Sequence, residues 1–175
     1  MGQYYKAIIL GEKKISKHEV IRISMHTIGS KLMEHSYIDN HFVQLFEYLL
    51  TPEGIFYKSR VVWAGDYADE EEGLDQNLYC ISDNYPDKNL NNTTKLIPKE
   101  YKYIINHTKK IYVNKDKHTY IHPLPILTAE GNGRGGGDYY GKHNELVGTW
   151  ARDVISIEKD IPENYTEFDC NFSRT

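Results

Sequence analysis

A chain of 175 residues and 20.4 kDa has the size of one ordinary domain and can bury roughly two-thirds of the surface its unfolded form exposes. Hydrophobic residues at 39%, charged residues at 26% and a mean hydropathy of -0.63 argue against both a membrane protein and a disordered one. A net charge of -4 and a pI near 6.1 give no global electrostatic case for nucleic acid or an anionic membrane surface, so neither is expected as a partner.

Tyr4–Leu10 is an apolar run that ends at Gly11, and Val20–Met25 alternates with Ile21, Ile23 and Met25 on one face. The two segments are predicted to form a hairpin or strand pair whose alternating face looks at the core. Ser36-Tyr37-Ile38-Asp39 resembles a capping box, and Ile38, Phe42, Leu45, Phe46 and Leu49 recur at helical spacing. That pattern predicts one main amphipathic helix over about 36–50, stopped by Thr51-Pro52-Glu53-Gly54. Leu32 and Met33 alone do not decide whether a helical turn over 30–35 precedes it.

The period returns to two over Phe56–Ala64, a strand that runs into Gly65-Asp66-Tyr67-Ala68-Asp69. Leu78-Tyr79-Cys80-Ile81 reads as another short strand, and residues 83–100, rich in Asn, Asp, Thr and Pro, as a long surface loop. Tyr101–Ile105 and Lys110–Val113 flank Asn106-His107-Thr108-Lys109 at hairpin spacing. An apolar run at 124–127, a glycine-rich segment and Leu146–Trp150 leading into Val154–Ile157 complete the pattern. Strands dominate and repeating βαβ units are absent, so the fold class is α+β with a mostly antiparallel β-sheet. A single domain is expected over 1–160, with 161–175 as a C-terminal tail or edge extension.

Charge is uneven: residues 66–75 carry six acids and no base, whereas residues 95–117 carry seven lysines against Glu100 and Asp116. Cys80 and Cys170 lack the spacing of a zinc site or a disulfide framework and read as free thiols. The N-terminal residues lack a basic stretch followed by a long apolar run, so a cytoplasmic location is expected.

The strongest local signal is Gly131-Asn132-Gly133-Arg134-Gly135-Gly136-Gly137-Asp138-Tyr139-Tyr140, in a stretch from 131 to 148 that holds seven of the thirteen glycines. Residues without a Cβ let successive backbone N–H groups converge on one anion, and Arg134 adds a bidentate donor for it. The segment fits neither the dinucleotide fingerprint nor the P-loop and leads toward a strand, so no helix dipole assists. The competing reading is a β-loop whose glycines relieve a tight turn.

The segments 131–138, Leu146-Val147-Gly148-Thr149-Trp150-Ala151-Arg152-Asp153 and Trp63-Ala64-Gly65-Asp66-Tyr67-Ala68-Asp69, with the opening Met1-Gly2-Gln3-Tyr4-Tyr5, carry a resemblance. Together they resemble an uncharacterised family of bacterial and phage-associated proteins that open with MGQYY and contain GNGRGGGD, VGxWAxD and GDYAD segments. In this chain GDYAD precedes the glycine segment. The resemblance implies that these patches meet in space and says nothing about what they bind.

Asp66, Asp69, Asp138 and Asp153 with His122 are a candidate oxygen-rich site for a divalent metal that would activate water against a phosphoester. Asp after Gly is equally at home in a turn. Trp63, Tyr67, Tyr139, Tyr140 and Trp150 are candidate stacking rings, with strand packing as the alternative. No cofactor is predicted, and no nucleophile has a base beside it in sequence. The leading expectation is a non-enzymatic protein that binds a phosphorylated small molecule, foremost a nucleotide, at residues 131–140, with sequestration of a signalling nucleotide as a phage-type role. Trp63, Asp66, Tyr67, Asp69, His122, Trp150 and Asp153 form a second candidate patch. The alternatives are a protein interaction or inhibitor module and, third, a metal-dependent phosphoesterase.

Overall fold

β1 (Tyr5–Leu10), β2 (Val20–Ser24) and β3 (Ser59–Gly65) form the centre of one sheet, with β1 antiparallel to both neighbours. β1 and β3 are apolar at nearly every position because both of their faces are covered. Ala7, Ile9, Val61 and Trp63 point to one side, and Ile8, Leu10, Val62 and Ala64 to the other. The computed structural model that shows this describes residues 3–11, 20–25, 31–131 and 139–173.

The sheet is completed by β4 (Asp87–Asn89), β5 (Tyr103–Asn106), β6 (Ile111–Asn114), β7 (Ala129–Glu130), β8 (Val154–Glu158) and β9 (Thr166–Glu167). The order is β4-β2-β1-β3-β8-β5-β6-β9, with β7 beside β3. Most pairs are antiparallel, and the short β4, β7 and β9 join in parallel. The fold is therefore α+β with a mostly antiparallel sheet. The expected hairpin is β5 and β6, with Tyr103 opposite Asn114 and Asn106 opposite Ile111.

β3 is forked along one edge. Ser59 and Arg60 pair with β8, whereas Trp63 and Ala64 pair with β7. Between the two, Arg152 N–H donates to the Val61 carbonyl at 2.7 Å and Val61 N–H to the Asp153 carbonyl at 3.1 Å. The turn at Arg152, which adopts φ 68, thus fills the gap in the ladder.

The α-helices among the described residues are α1 (Leu32–His35), α2 (His41–Leu49), α3 (Leu78–Ile81) and α4 (Pro123–Leu127). α2 lays Phe42, Phe46 and Leu49 on the first sheet face, where the Phe46 ring meets Trp63 edge-on at 4.8 Å between centroids. Burying each such ring is worth roughly 2–3 kcal/mol. α3 covers the opposite face through Leu78 against Ile8, Val20 and Val62.

Several local expectations are corrected. The main helix begins at His41 because Asn40 caps it, its side-chain oxygen accepting Val43 N–H at 3.0 Å. Ser36 instead closes α1, its hydroxyl donating to the Leu32 carbonyl at 2.5 Å, and Asp39 takes φ 72 between the two helices. Leu78–Ile81 is a helix and not a strand. Asn77 supplies its N-cap by accepting Cys80 N–H at 3.1 Å, and four residues of apolar sequence carry no period that separates helix from strand. The 124–127 run is α4, started by Pro123 with His122 as cap. Residues 83–100 are mostly irregular but contribute the edge strand β4. At the C-terminus β9 extends the β6 edge, and Phe172 packs edge-on against Tyr139 at 5.4 Å in the core. Cys80 and Cys170 are free thiols. Among the described residues no helix is long and apolar enough to cross a membrane.

Candidate functional site

Two clefts hold most of the chemistry on the described surface. The first opens at the fork in β3. Its walls come from the turn after β3 (Ala68–Glu71), the end of β7 through Gly131, and the 147–152 segment, enclosing about 660 Å³. Gly65 makes this junction feasible: a Cβ there would stand 2.5 Å from the Glu130 carbonyl oxygen and 3.2 Å from Gly131 Cα. Gly148, with φ 78, supplies the left-handed turn on the opposite wall. Asn77 ties the floor together, donating to the Asp66 and Ala68 carbonyls at 2.9 and 3.1 Å while it caps α3.

Arg152 is the dominant charge in this cleft. Its Nε donates to Glu130 at 2.6 Å, one terminal nitrogen donates to Glu130 at 2.8 Å and to Glu71, and the other reaches Glu71 at 3.1 Å. Partial burial disfavours the guanidinium charge, but the two carboxylates outweigh it and hold its pKa above the ordinary arginine value. Every guanidinium nitrogen of Arg152 therefore already faces a carboxylate. The fork cleft is a closed ion-pair network, with Asp69 and Glu70 adding further negative charge at its rim.

The second cleft lies across β8 in the sheet, over the ends of β5 and β6. It encloses about 600 Å³ between α2, the 96–102 segment, the turn after β6 and the approach to α4. At its base sits Glu47 on α2, only 2% exposed. One oxygen accepts from His122 Nε2 at 2.7 Å and the other from Lys115 Nζ. His122 Nδ1 accepts Leu124 N–H at 3.1 Å, so Nε2 carries the ring proton and donates to Glu47. Burial pushes the Glu47 carboxyl up, but Lys115 and His122 overcome it and hold the pKa at about 2. Glu47 is ionised and its two oxygens are occupied.

His118 is the group left over. It is 9% exposed, and among the described residues its ring has no hydrogen bond, ion pair or ring contact. Its backbone is fixed, with its N–H donating to the Lys115 carbonyl at 2.9 Å at the end of a 3-10 turn that Asn114 caps. Burial, followed by the neighbouring His122, pushes its pKa below that of a free histidine. Lys99 and Lys102 stand on the same walls, and Leu96, Ile97 and Pro98 form an apolar shelf beside them. Leu96 is an exposed apolar side chain, whereas Tyr101 is buried with Lys159 Nζ 5.0 Å from its ring centroid.

The structure distributes the sequence-derived candidates unevenly. Asn132, Gly133, Arg134, Gly135, Gly136, Gly137 and Asp138 lie outside the described residues. Gly131 lines the fork cleft, together with Asp69 and the Gly148–Arg152 segment. Asp66 is a turn acid that accepts Tyr4 N–H at 3.0 Å, and Tyr67 is exposed. Trp63 is a core ring whose indole N–H donates to His35 Nε2 at 2.7 Å. Trp150 is equally buried against Phe168, and its indole N–H is the one fully buried side-chain donor without a partner among the described residues. Tyr139 turns inward, its hydroxyl donating to the Lys142 carbonyl, and Tyr140 turns outward at 80% exposure. His122 belongs to the Glu47 cleft and not with the aspartates. Asp153 accepts from Asn106 at 2.8 Å and pairs with Lys109. Among the described residues no group of three or more His, Cys, Asp or Glu is arranged to hold a metal ion.

Glu47, Lys115 and His118 were not singled out by sequence. Glu47 lies off the face that Phe42, Leu45, Phe46 and Leu49 define, so its burial at 2% exposure comes from the elements packed beside α2 and has no local sign in the sequence. No protein family, curated protein or solved structure matches this chain.

Proposed function

We propose that this chain binds a phosphorylated small molecule, with the phosphate in the Glu47 cleft rather than at the glycine-rich segment. The observation that carries the reading is His118: a buried imidazole with no partner, on the wall of a cleft that also presents Lys99 and Lys102. Its ring nitrogens are not sealed from solvent, so they open onto the cleft, where an anion can accept from the ring N–H in place of water. The Glu47 carboxylate does not oppose such a ligand, because Lys115 neutralises one oxygen and the His122 ring N–H occupies the other. Lys99 and Lys102 supply point charges for phosphate, and Leu96, Ile97 and Pro98 an apolar surface for the organic part. Among the described residues the one aromatic ring lining this cleft, Tyr101, is buried and offers a nucleobase no open face, so simple phosphate esters rank with nucleotides as ligands.

A thermal-shift panel of nucleoside monophosphates, sugar phosphates and phenyl phosphate tests the proposal on the full chain. A ligand at 100 times its Kd should add about 2.7 kcal/mol, or roughly 5–10 °C in Tm for a domain of this size. Lys102→Ala should weaken that response, whereas Arg134→Ala should leave it intact. A flat panel at millimolar phosphate ester overturns the reading, and dependence on Arg134 alone returns the ligand to the glycine-rich segment.

A further inference from the structure

We infer that His118 makes the Glu47 cleft select a phosphate monoester dianion, and that binding such a ligand takes up a proton on this ring. The inference rests on the phosphate reading above and names the group that would enforce it.

Charged and titratable groups line the cleft around His118 from every element packed there. From α2 comes Glu47, closed by Lys115 and His122. From the turn after β6 come Lys115 itself and Asp116, the latter 4.0 Å from Lys102 Nζ. From the segment before α2 comes Asp39, which accepts from Gln44 at 3.5 Å, and from the 96–102 segment come Lys99 and Lys102. His122 accepts from Leu124 and donates to Glu47, so it has no donor to spare for His118. Among these described groups none bonds to His118. A proton added to the ring would place one more cation near Lys102 and Lys115, in a place too buried for water to screen it fully. The neutral ring is therefore the resting form at neutral pH, in line with the depressed pKa that burial and His122 impose.

A dianion changes that balance. Two negative charges within hydrogen-bond reach favour the imidazolium, and the second ring nitrogen then becomes a donor to the phosphate as well. The same cleft offers a singly charged sulfate ester or carboxylate half the countercharge, so it gains less from protonating His118. The sign follows from linkage. The ring's pKa is higher in the complex than in the free protein, so affinity rises as pH falls through the complex value and levels off below the free value. Below pH about 6 the phosphate ester dianion itself takes up a proton and becomes a monoanion, and the advantage declines. Affinity should peak on the acidic side of neutrality, about tenfold above its value at pH 8 for each unit by which the ring's pKa rises.

The experiment is titration calorimetry of the full chain with phenyl phosphate and with phenyl sulfate, at pH 7 in two buffers of different ionisation enthalpy. The expected result is net uptake of a measurable fraction of one proton with phenyl phosphate and little with phenyl sulfate. His118→Gln, checked for an unchanged Tm, should lose the uptake and most of the preference for phosphate over sulfate. The His118 ring signal in an NMR pH titration of the unmodified chain should move to a higher pKa when phenyl phosphate is present. That measurement stands even where the variant folds poorly. Phenyl phosphate binding without proton uptake, or with the His118 pKa unmoved, overturns the inference and leaves the phosphate reading standing. No binding of phenyl phosphate by the folded protein removes both.

Discussion

The two clefts are built from similar materials and differ in what remains after their charges are paired. At the fork in β3, Arg152 brings a full set of guanidinium donors to two carboxylates, Glu71 and Glu130, and each partner satisfies the other. In the Glu47 cleft one carboxylate meets two donors, and a second imidazole, His118, is left without any. The comparison teaches that charge density alone does not mark a binding site. The acid-rich fork is a brace that joins three chain segments where the sheet ladder is interrupted. The Glu47 cleft, where three lysines stand beside three acids, keeps an imidazole without a protein partner on its wall, and such a group is available for a ligand.

The largest expected effect separates the two regions by stability. Glu47→Gln strands Lys115 as a half-buried cation and should destabilise the fold by about 3–5 kcal/mol, read as a fall in denaturant midpoint or Tm. The pH dependence carries the same signature. With the folded pKa held at about 2 against an ordinary 4.5, the Glu47 carboxylate contributes stability above pH 4.5 that is lost as pH falls toward 2. Acid titration of the unfolding free energy should show that loss in the natural chain and a smaller one in Glu47→Gln. A cost under 1 kcal/mol would mean that the buried pair is not what organises this cleft.

Arg152→Gln is expected to cost less, about 1–2 kcal/mol, because its side chain is 28% exposed and the released carboxylates can turn toward water. It should leave phenyl phosphate affinity within about twofold in a binding titration, since the fork lies outside the proposed site. A large loss of affinity would merge the two regions into one. Asn77→Ala should have the smallest effect, about 1 kcal/mol from the lost helix cap, with increased hydrogen exchange in α3 as its local readout. Exchange confined to the 66–68 turn would show that the carbonyl contacts matter more than the cap.

Strand β1 was legible as an apolar run closed by Gly11, and β2 and the face of α2 because each presents a hydrophobic period over enough residues to distinguish two from 3.6. The start of α2 was misplaced by several residues because Ser36 and Asn40 both have capping chemistry, and only the path of α1 decides that Ser36 bonds backward to Leu32. Leu78–Ile81 reads as a strand because four apolar residues fit either structure, and what decides is Asn77, which caps the helix at Cys80 N–H while its amide holds the Asp66 and Ala68 carbonyls of the preceding turn. Trp63 and Trp150 looked like stacking platforms from their neighbours in sequence, yet both are core rings.

By itself the sequence determined the fold class and the apolar faces, since burial of those faces depends mainly on local periodicity. It also showed where glycine, acid and lysine are concentrated. The tertiary structure alone decided which charges meet. Glu47 and His122 lie 75 positions apart and make a 2.7 Å contact, and Lys115 joins them from a third element. Whether a buried ionisable side chain is satisfied or left over depends on groups brought together by folding, and no local pattern encodes that count.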